Sequence, residues 1–160
     1  MLFSFFESIK YVGHLFPIAF LRIFIGVYYL QEALIKIQGD FLNRPLFAEQ
    51  VAEWLPSSAA PQWYKYFISA QLIPHWMTLA FCIAALELSI GISYLFGYVV
   101  RPMALLAIFL TVNMVFFSNP VQEDYLKTLI ALHVIFAWVG AGRCLGVDYY
   151  FYKRRRGIWW

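Results

Sequence analysis

The chain has 160 residues, of which 62% are hydrophobic and 21% aromatic, while only 13% carry a charge. A soluble domain carries about 25% charged residues, so this inventory cannot cover a water-exposed surface and points to lipid. The net charge of +3 comes largely from Lys153, Arg154, Arg155 and Arg156, a terminal block that does not form a nucleic-acid footprint.

In chain order, the N-terminal "LFSFFESIKYV" reads as an interfacial helix rather than a cleavable leader, because it lacks a basic start and a small-residue cleavage site. A membrane-spanning helix needs about 20 mostly apolar residues. Residues 14–37 meet this. The loop 38–73 follows, and "RPLFAEQVAEWLP" within it places Phe47, Val51, Trp54 and Leu55 at helical spacing. "PQWYKYFISAQLIP" is bounded by prolines and rich in aromatic rings. Both predict short helices at a membrane interface, where such rings are favoured. Residues 74–100, 101–118 and 120–142 predict three further spans. Pro102 is tolerated in a first turn, and Asn119, Pro120 and Gln122 form a helix start with a capping-box pattern. The short connections make the last three helices antiparallel neighbours.

The expected architecture is thus an all-α integral membrane protein. It is one domain over 1–160: an antiparallel bundle of four transmembrane helices, with interfacial helices in the long loop and a tail over 143–160. Four spans put both termini on one side. That side collects Lys10, Arg101, Arg143 and the 153–156 block; the other collects Arg44 and Lys65, with Lys36 and Lys127 at its border, together with Asp40, Glu49, Glu53, Glu123 and Asp124. Basic residues mark the cytoplasmic side. Both termini are therefore placed in the cytoplasm of a bacterial or archaeal cell, with Lys153, Arg154, Arg155 and Arg156 anchoring to anionic lipid.

Ionisable groups inside a span are costly and face the bundle interior. Arg22 lies in the first span and Glu87 in the second, at depths that differ by roughly 5–8 Å counted from the predicted ends. A Glu87–Arg22 pair is expected. It serves either as a structural ion pair or as the lining of a polar pocket for a quinone or proton. The stripes Arg22, Gly26, Tyr29, Ala33, Lys36 and Ala80, Ala84, Glu87, Gly91, Tyr94 would face each other, their small residues permitting close approach. His133 is read as a hydrogen-bonded packing residue or as a partner for a quinone carbonyl or a relayed proton. Asn113 could bond His133 or Glu87. Glu32 and Lys36 form an interface ion pair one turn apart. Cys82 and Cys144 have no metal or redox spacing, so both read as packing. No bis-histidine pair at one depth supports heme, and no metal site is expected.

Three stretches resemble the DoxX/DoxD family of four-helix membrane proteins. They are "LRIFIGVYYLQEALIKI" with its closing Lys36, "ALELSIGISYLFGYVVRPMALLA" with Gly91 and Arg101, and "AWVGAGRCLGVDYY" with Gly142, Arg143 and Asp148. In the last, Arg143 and Asp148 would pair with each other or with Arg101. The resemblance implies a subunit of a membrane redox complex, such as the small subunit of a thiosulfate:quinone oxidoreductase. Some members work through cysteine pairs, which this chain lacks. No nucleotide-binding glycine motif, iron–sulfur set or flavin site is present. The expected function is therefore an accessory membrane subunit of a redox or energy-transducing complex, inactive alone, with possible quinone contact and no covalent cofactor. Other membrane subunits are its expected partners, with lipid or pigment at its periphery. The alternatives are a quinone-reducing subunit and, behind it, a small transporter or channel.

Overall fold

The computed structural model describes residues 16–154. Arg155, Arg156, Lys10, His14 and the N-terminal stretch assigned above to an interface lie outside the described residues. Within them, all regular structure is helical. Helix α1 spans Phe16–Gln38, α2 Leu46–Trp54, α3 Gln62–Phe67, α4 Trp76–Phe96, α5 Val100–Val115, α6 Pro120–Val139 and α7 Asp148–Arg154.

Among the described residues two helical stretches are long and apolar enough to cross a membrane: Phe16–Gln38, and the 35 residues of Gln62–Phe96. The second includes what the sequence suggested was a separate interfacial piece. Helix α3 instead runs into α4 through a π turn at Ile68–Leu72 and a 3-10 turn at Ile73–His75. The reason is Pro74, which lacks an N–H and collides with the carbonyl four residues back. Widening and then tightening the helix accommodates it without a break. Helix α5 has 16 residues, about 24 Å. Helix α6 carries Glu123, Asp124 and Lys127 in its first turns.

The helix ends follow local chemistry. Helix α4 stops at Phe96, four residues before the sequence reading placed it. Gly97 adopts a left-handed conformation (φ 65°), and the N–H groups of Gly97 and Tyr98 both donate to the Ser93 carbonyl. This is a glycine-terminated helix end. Helix α5 ends at Val115, short of the expected residue 118. Asn119 starts α6 as expected, its side chain accepting from the Gln122 N–H at 2.9 Å. Gly140 (φ 69°) ends it at Val139 rather than at 142.

Helices α1 and α4 pack most extensively, as do α5 and α6. A Cβ on Gly26 would sit 2.9 Å from the Leu95 amide nitrogen, and one on Gly91 2.9 Å from that of Leu30. The two helices therefore run antiparallel with their backbones nearly touching. Small residues drive helix association in this way where lipid removes any hydrophobic gain. Helix α2 buries Phe47 and Val51 against this assembly, and Gln50 donates to the Phe117 carbonyl at 2.9 Å. Outward-facing positions are strongly apolar: Phe24 is 69% exposed and Trp138 84%. This is the pattern expected where lipid is the solvent.

Candidate functional site: three buried polar clusters and a cavity

Both predicted stripes are buried as expected; Lys36, at the end of its stripe, is half-buried. The pairing between them is not the expected one. Gly97, not Glu87, lies beside Arg22: a Cβ there would sit 2.7 Å from the Arg22 Nη1. Glu87 lies ten residues before Gly97, within α4, about 15 Å away in depth. The estimate from the sequence failed because it took the ends of both helices as level, whereas they are offset. Arg22 and Glu87 belong to different clusters.

At one end of the helices, Arg22 is fully buried. Its Nη1 donates to the carbonyls of Ala141 (2.6 Å) and Cys144 (3.1 Å), and its Nη2 to that of Leu145 (3.1 Å). The stretch after α6 thus folds around an α1 side chain. It also returns to the α4–α5 turn. The N–H groups of Val147 and Asp148 donate to the carbonyls of Phe96 (3.2 Å) and Gly97 (2.9 Å). The Asp148 carboxylate accepts from the N–H groups of Val99 (2.6 Å) and Val100 (3.0 Å), capping α5. Burial pushes the Asp148 carboxyl above its ordinary range, against the pull of these amides, Arg22 and Arg143. It likewise pushes the Cys144 thiol up, opposed by Arg22. Gly142 lies where any side chain would meet the Asp148 carboxylate. Arg143 stacks on Tyr152, 4.1 Å from the ring centre, and Arg101 Nη2 donates to the Trp138 carbonyl at 3.4 Å. Backbone amides and carbonyls therefore take up much of what the "GRCLGVD" stretch was expected to settle between side chains.

In the middle, His133 is fully buried between two tyrosines, with Tyr29 Oη 2.9 Å from Nε2 and Tyr94 Oη 2.9 Å from Nδ1. One assignment of the protons satisfies every group on this chain. Thr111 donates its only proton to the Ala107 carbonyl at 2.7 Å. In that assignment Tyr29 is the donor in the 3.3 Å contact with Thr111 Oγ1. Tyr29 therefore accepts from Nε2–H, leaving Nδ1 bare to accept from Tyr94. Every group on the chain is satisfied, as a buried polar core requires. Asn113 takes no part: it accepts from Tyr64 Oη at 2.7 Å and donates to the Phe109 carbonyl at 2.6 Å. It sits two residues past Thr111, on the side of α5 that faces the loop helices rather than His133.

At the other end, Lys36 Nζ donates to both Glu87 oxygens (2.9 and 2.7 Å) and to Glu32 Oε2 (3.3 Å). The expected Glu32–Lys36 pair is present, enlarged by Glu87. Beside it opens a cavity of about 250 Å3, lined by Lys36, Glu87, Glu32, Tyr29 and Thr111, with Tyr28, Gln50, Gln122 and Tyr125 and apolar side chains such as Phe41 and Met114. Pockets for small molecules run to about 300–1,000 Å3, so this one suits a single ring. It touches the hydrogen-bonded chain through Tyr29 and Thr111. Among the described residues no group of three His, Cys, Asp or Glu side chains could hold a metal ion.

No curated protein and no solved structure matches the chain. A family model described as DoxX matches residues 18–120, a range that takes in Arg22, Lys36, Glu87, Gly91 and Arg101 but ends before His133, Gly142, Arg143 and Asp148. That match covers well over half of the sequence, and the chain belongs to the DoxX family.

Proposed function

We propose that the protein is an integral membrane subunit of a larger redox complex and that its cavity receives the headgroup of a quinone. The observation that carries this reading is the cavity itself, a ring-sized hollow with charged and hydroxyl walls set into a bundle whose outside is apolar. A quinone reaches such a place from the lipid and needs polar groups at one point only. In this reading α1, α4, α5 and α6 all span the cytoplasmic membrane of a bacterium or archaeon, and both termini are cytoplasmic. The Arg22 end then faces inward with Arg101, Arg143, Lys153 and Arg154, and the cavity lies toward the outside. The basic tail would rest on anionic lipid. Electrons would come from a partner subunit, and a thiosulfate-oxidising partner is one that fits the family resemblance.

The test is purification of the native complex in mild detergent through a tag on this chain, followed by identification of its partners and extraction of quinone. Stoichiometric quinone beside an oxidoreductase partner, with quinone turnover impaired by Glu87→Gln, is the expected result. A complex without quinone whose activity survives that substitution would leave the chain as a structural subunit.

A further inference from the structure

Charged groups on α6 lie at a depth where α4 is apolar. Helices α4, α5 and α6 have level ends beside Arg22. There Asp148 bonds to the Gly97 carbonyl and to the Val99 and Val100 N–H groups, and Arg101 at the start of α5 bonds to the Trp138 carbonyl at the end of α6. Counted back from Val139, Lys127, Asp124 and Glu123 lie about 18, 22 and 24 Å from that level. Counted back from Phe96, Phe81 and Met77 lie about 22 and 28 Å from it. The two counts agree where the helices meet, since Glu87 and Leu129, at about 14 and 15 Å, line the same cavity. A hydrocarbon core is about 30 Å thick. At about 22 Å, α4 presents Phe81, 54% exposed, while α6 presents Asp124, its side chain 87% exposed. No flat membrane boundary suits both.

Resting on the reading above that α6 spans the membrane, we infer that the bilayer is thinned where α6 meets lipid. Headgroups and water reach down to Asp124 and Lys127 on that side, while hydrocarbon covers α4 at the same depth. The chemistry of the α6 face favours lipid headgroups over a protein cover. Lys127 bonds Glu123 at 2.7 Å and reaches Asp124 at 3.7 Å, pairs one turn apart that suit a solvated helix. Thr128 bonds to the Asp124 carbonyl of its own helix at 3.0 Å. Tyr125 is exposed and of a type favoured at headgroup level. Exposed charges in hydrocarbon are costly, whereas a bilayer thins to meet a short span at modest cost. Helix α5, with 16 residues and about 24 Å, also fits the thin side. The cavity wall formed by Gln122 and Tyr125 then stands at the boundary of water and lipid, so a ligand's polar ring enters from the headgroup layer.

The test places the protein alone in nanodiscs of dioleoylphosphatidylcholine. It measures modification by a charged, membrane-impermeant maleimide, read site by site by peptide mass spectrometry. A thiol reacts as its thiolate, which hydrocarbon suppresses. The native Cys82 is exposed on α4, about 21 Å from the Arg22 level. Thr128→Cys puts a thiol at an exposed position of α6 only about 17 Å from that level and keeps every charge. A level boundary leaves Cys82 nearer the outer water and faster to react. Thinning reverses the order, and position 128 should react at least about tenfold faster than Cys82. Cys82 reacting as fast or faster overturns the inference. So does equal protection of both, which assigns the charged face of α6 to a protein cover. Val134→Cys, exposed and about 8 Å from the Arg22 level, checks the span itself. Protection there upholds the span separately from the thinning. Modification there as fast as at position 128 removes the spanning reading and this inference together.

Discussion

The Arg22 cluster invites the most direct perturbation, Arg22→Met, which keeps an unbranched side chain and deletes the guanidinium. Three hydrogen bonds to backbone carbonyls are lost, at 2.6, 3.1 and 3.1 Å. Bonds to a charged donor contribute about 1.5–3 kcal/mol each. Against that stands the cost of holding a guanidinium out of water, with Nε lacking a partner, and methionine removes this cost. The net loss should be about 2–4 kcal/mol, below the sum of three bonds. Equilibrium unfolding in mixed micelles measures it. Amide hydrogen exchange localises it, because the Val147 and Asp148 N–H groups, bonded to Phe96 and Gly97, should exchange faster when the stretch between α6 and α7 loosens. A variant within about 0.5 kcal/mol of wild type, with both amides still protected, would refute the reasoning.

At the other end, Lys36→Met should cost about 3–5 kcal/mol by leaving Glu87 without its cation, while Lys36→Met combined with Glu87→Leu should unfold later than the single variant; micellar unfolding of both settles the order. Nitrogen-15 resonances of His133 should report a protonated Nε2 and a bare Nδ1, and a protonated Nδ1 would reverse the deduced hydrogen-bond direction. Tyr29→Phe orphans the buried Nε2–H and should cost about 1–3 kcal/mol in the same unfolding measurement. Asp148 has its carboxyl raised by burial, so the folded state holds that proton more tightly than the unfolded chain does. Its stabilising contribution is complete below the unfolded pKa and declines as pH rises through the folded one. Unfolding measured from acid to neutral pH should show this decline in the wild type and not in Asp148→Asn.

The helix faces could be read from the sequence because small and polar residues recur at helical spacing in a chain that is otherwise apolar: Gly26, Tyr29 and Ala33 face inward, as do Ala84, Gly91 and Tyr94. Partnership within those faces could not. It depends on the offset between α1 and α4, which is set where Gly26 meets Leu95 and Gly91 meets Leu30, contacts that no single-helix count contains. Arg22 was assigned a carboxylate because a buried cation usually has one. The sequence carries no sign of three carbonyls brought back by the turn after α6. His133 was recognisable as a hydrogen-bonded core residue, but its tyrosine partners come from α1 and α4, 104 and 39 residues away. The continuity of α3 with α4 was hidden by Pro74, ordinarily a sign that a helix begins or ends.

One regularity ties the three clusters together. Arg22, Tyr29 and Lys36 are spaced seven residues apart on α1, close to two turns and about 10.5 Å at each step. Each meets a different partner: the carbonyls after α6, His133, and Glu87. In lipid, sliding one helix along another costs little apolar contact, so packing alone selects register weakly. Polar groups select it strongly, because a helix shifted by one residue turns about 100° and would carry all three side chains toward lipid together. The wall of the cavity is then held in place partly from its far end. The offset that presents Lys36 to Glu87 is the same one that seats Arg22 among carbonyls fourteen residues earlier in α1, and the few charged groups buried between these helices sit where each one excludes a wrong arrangement.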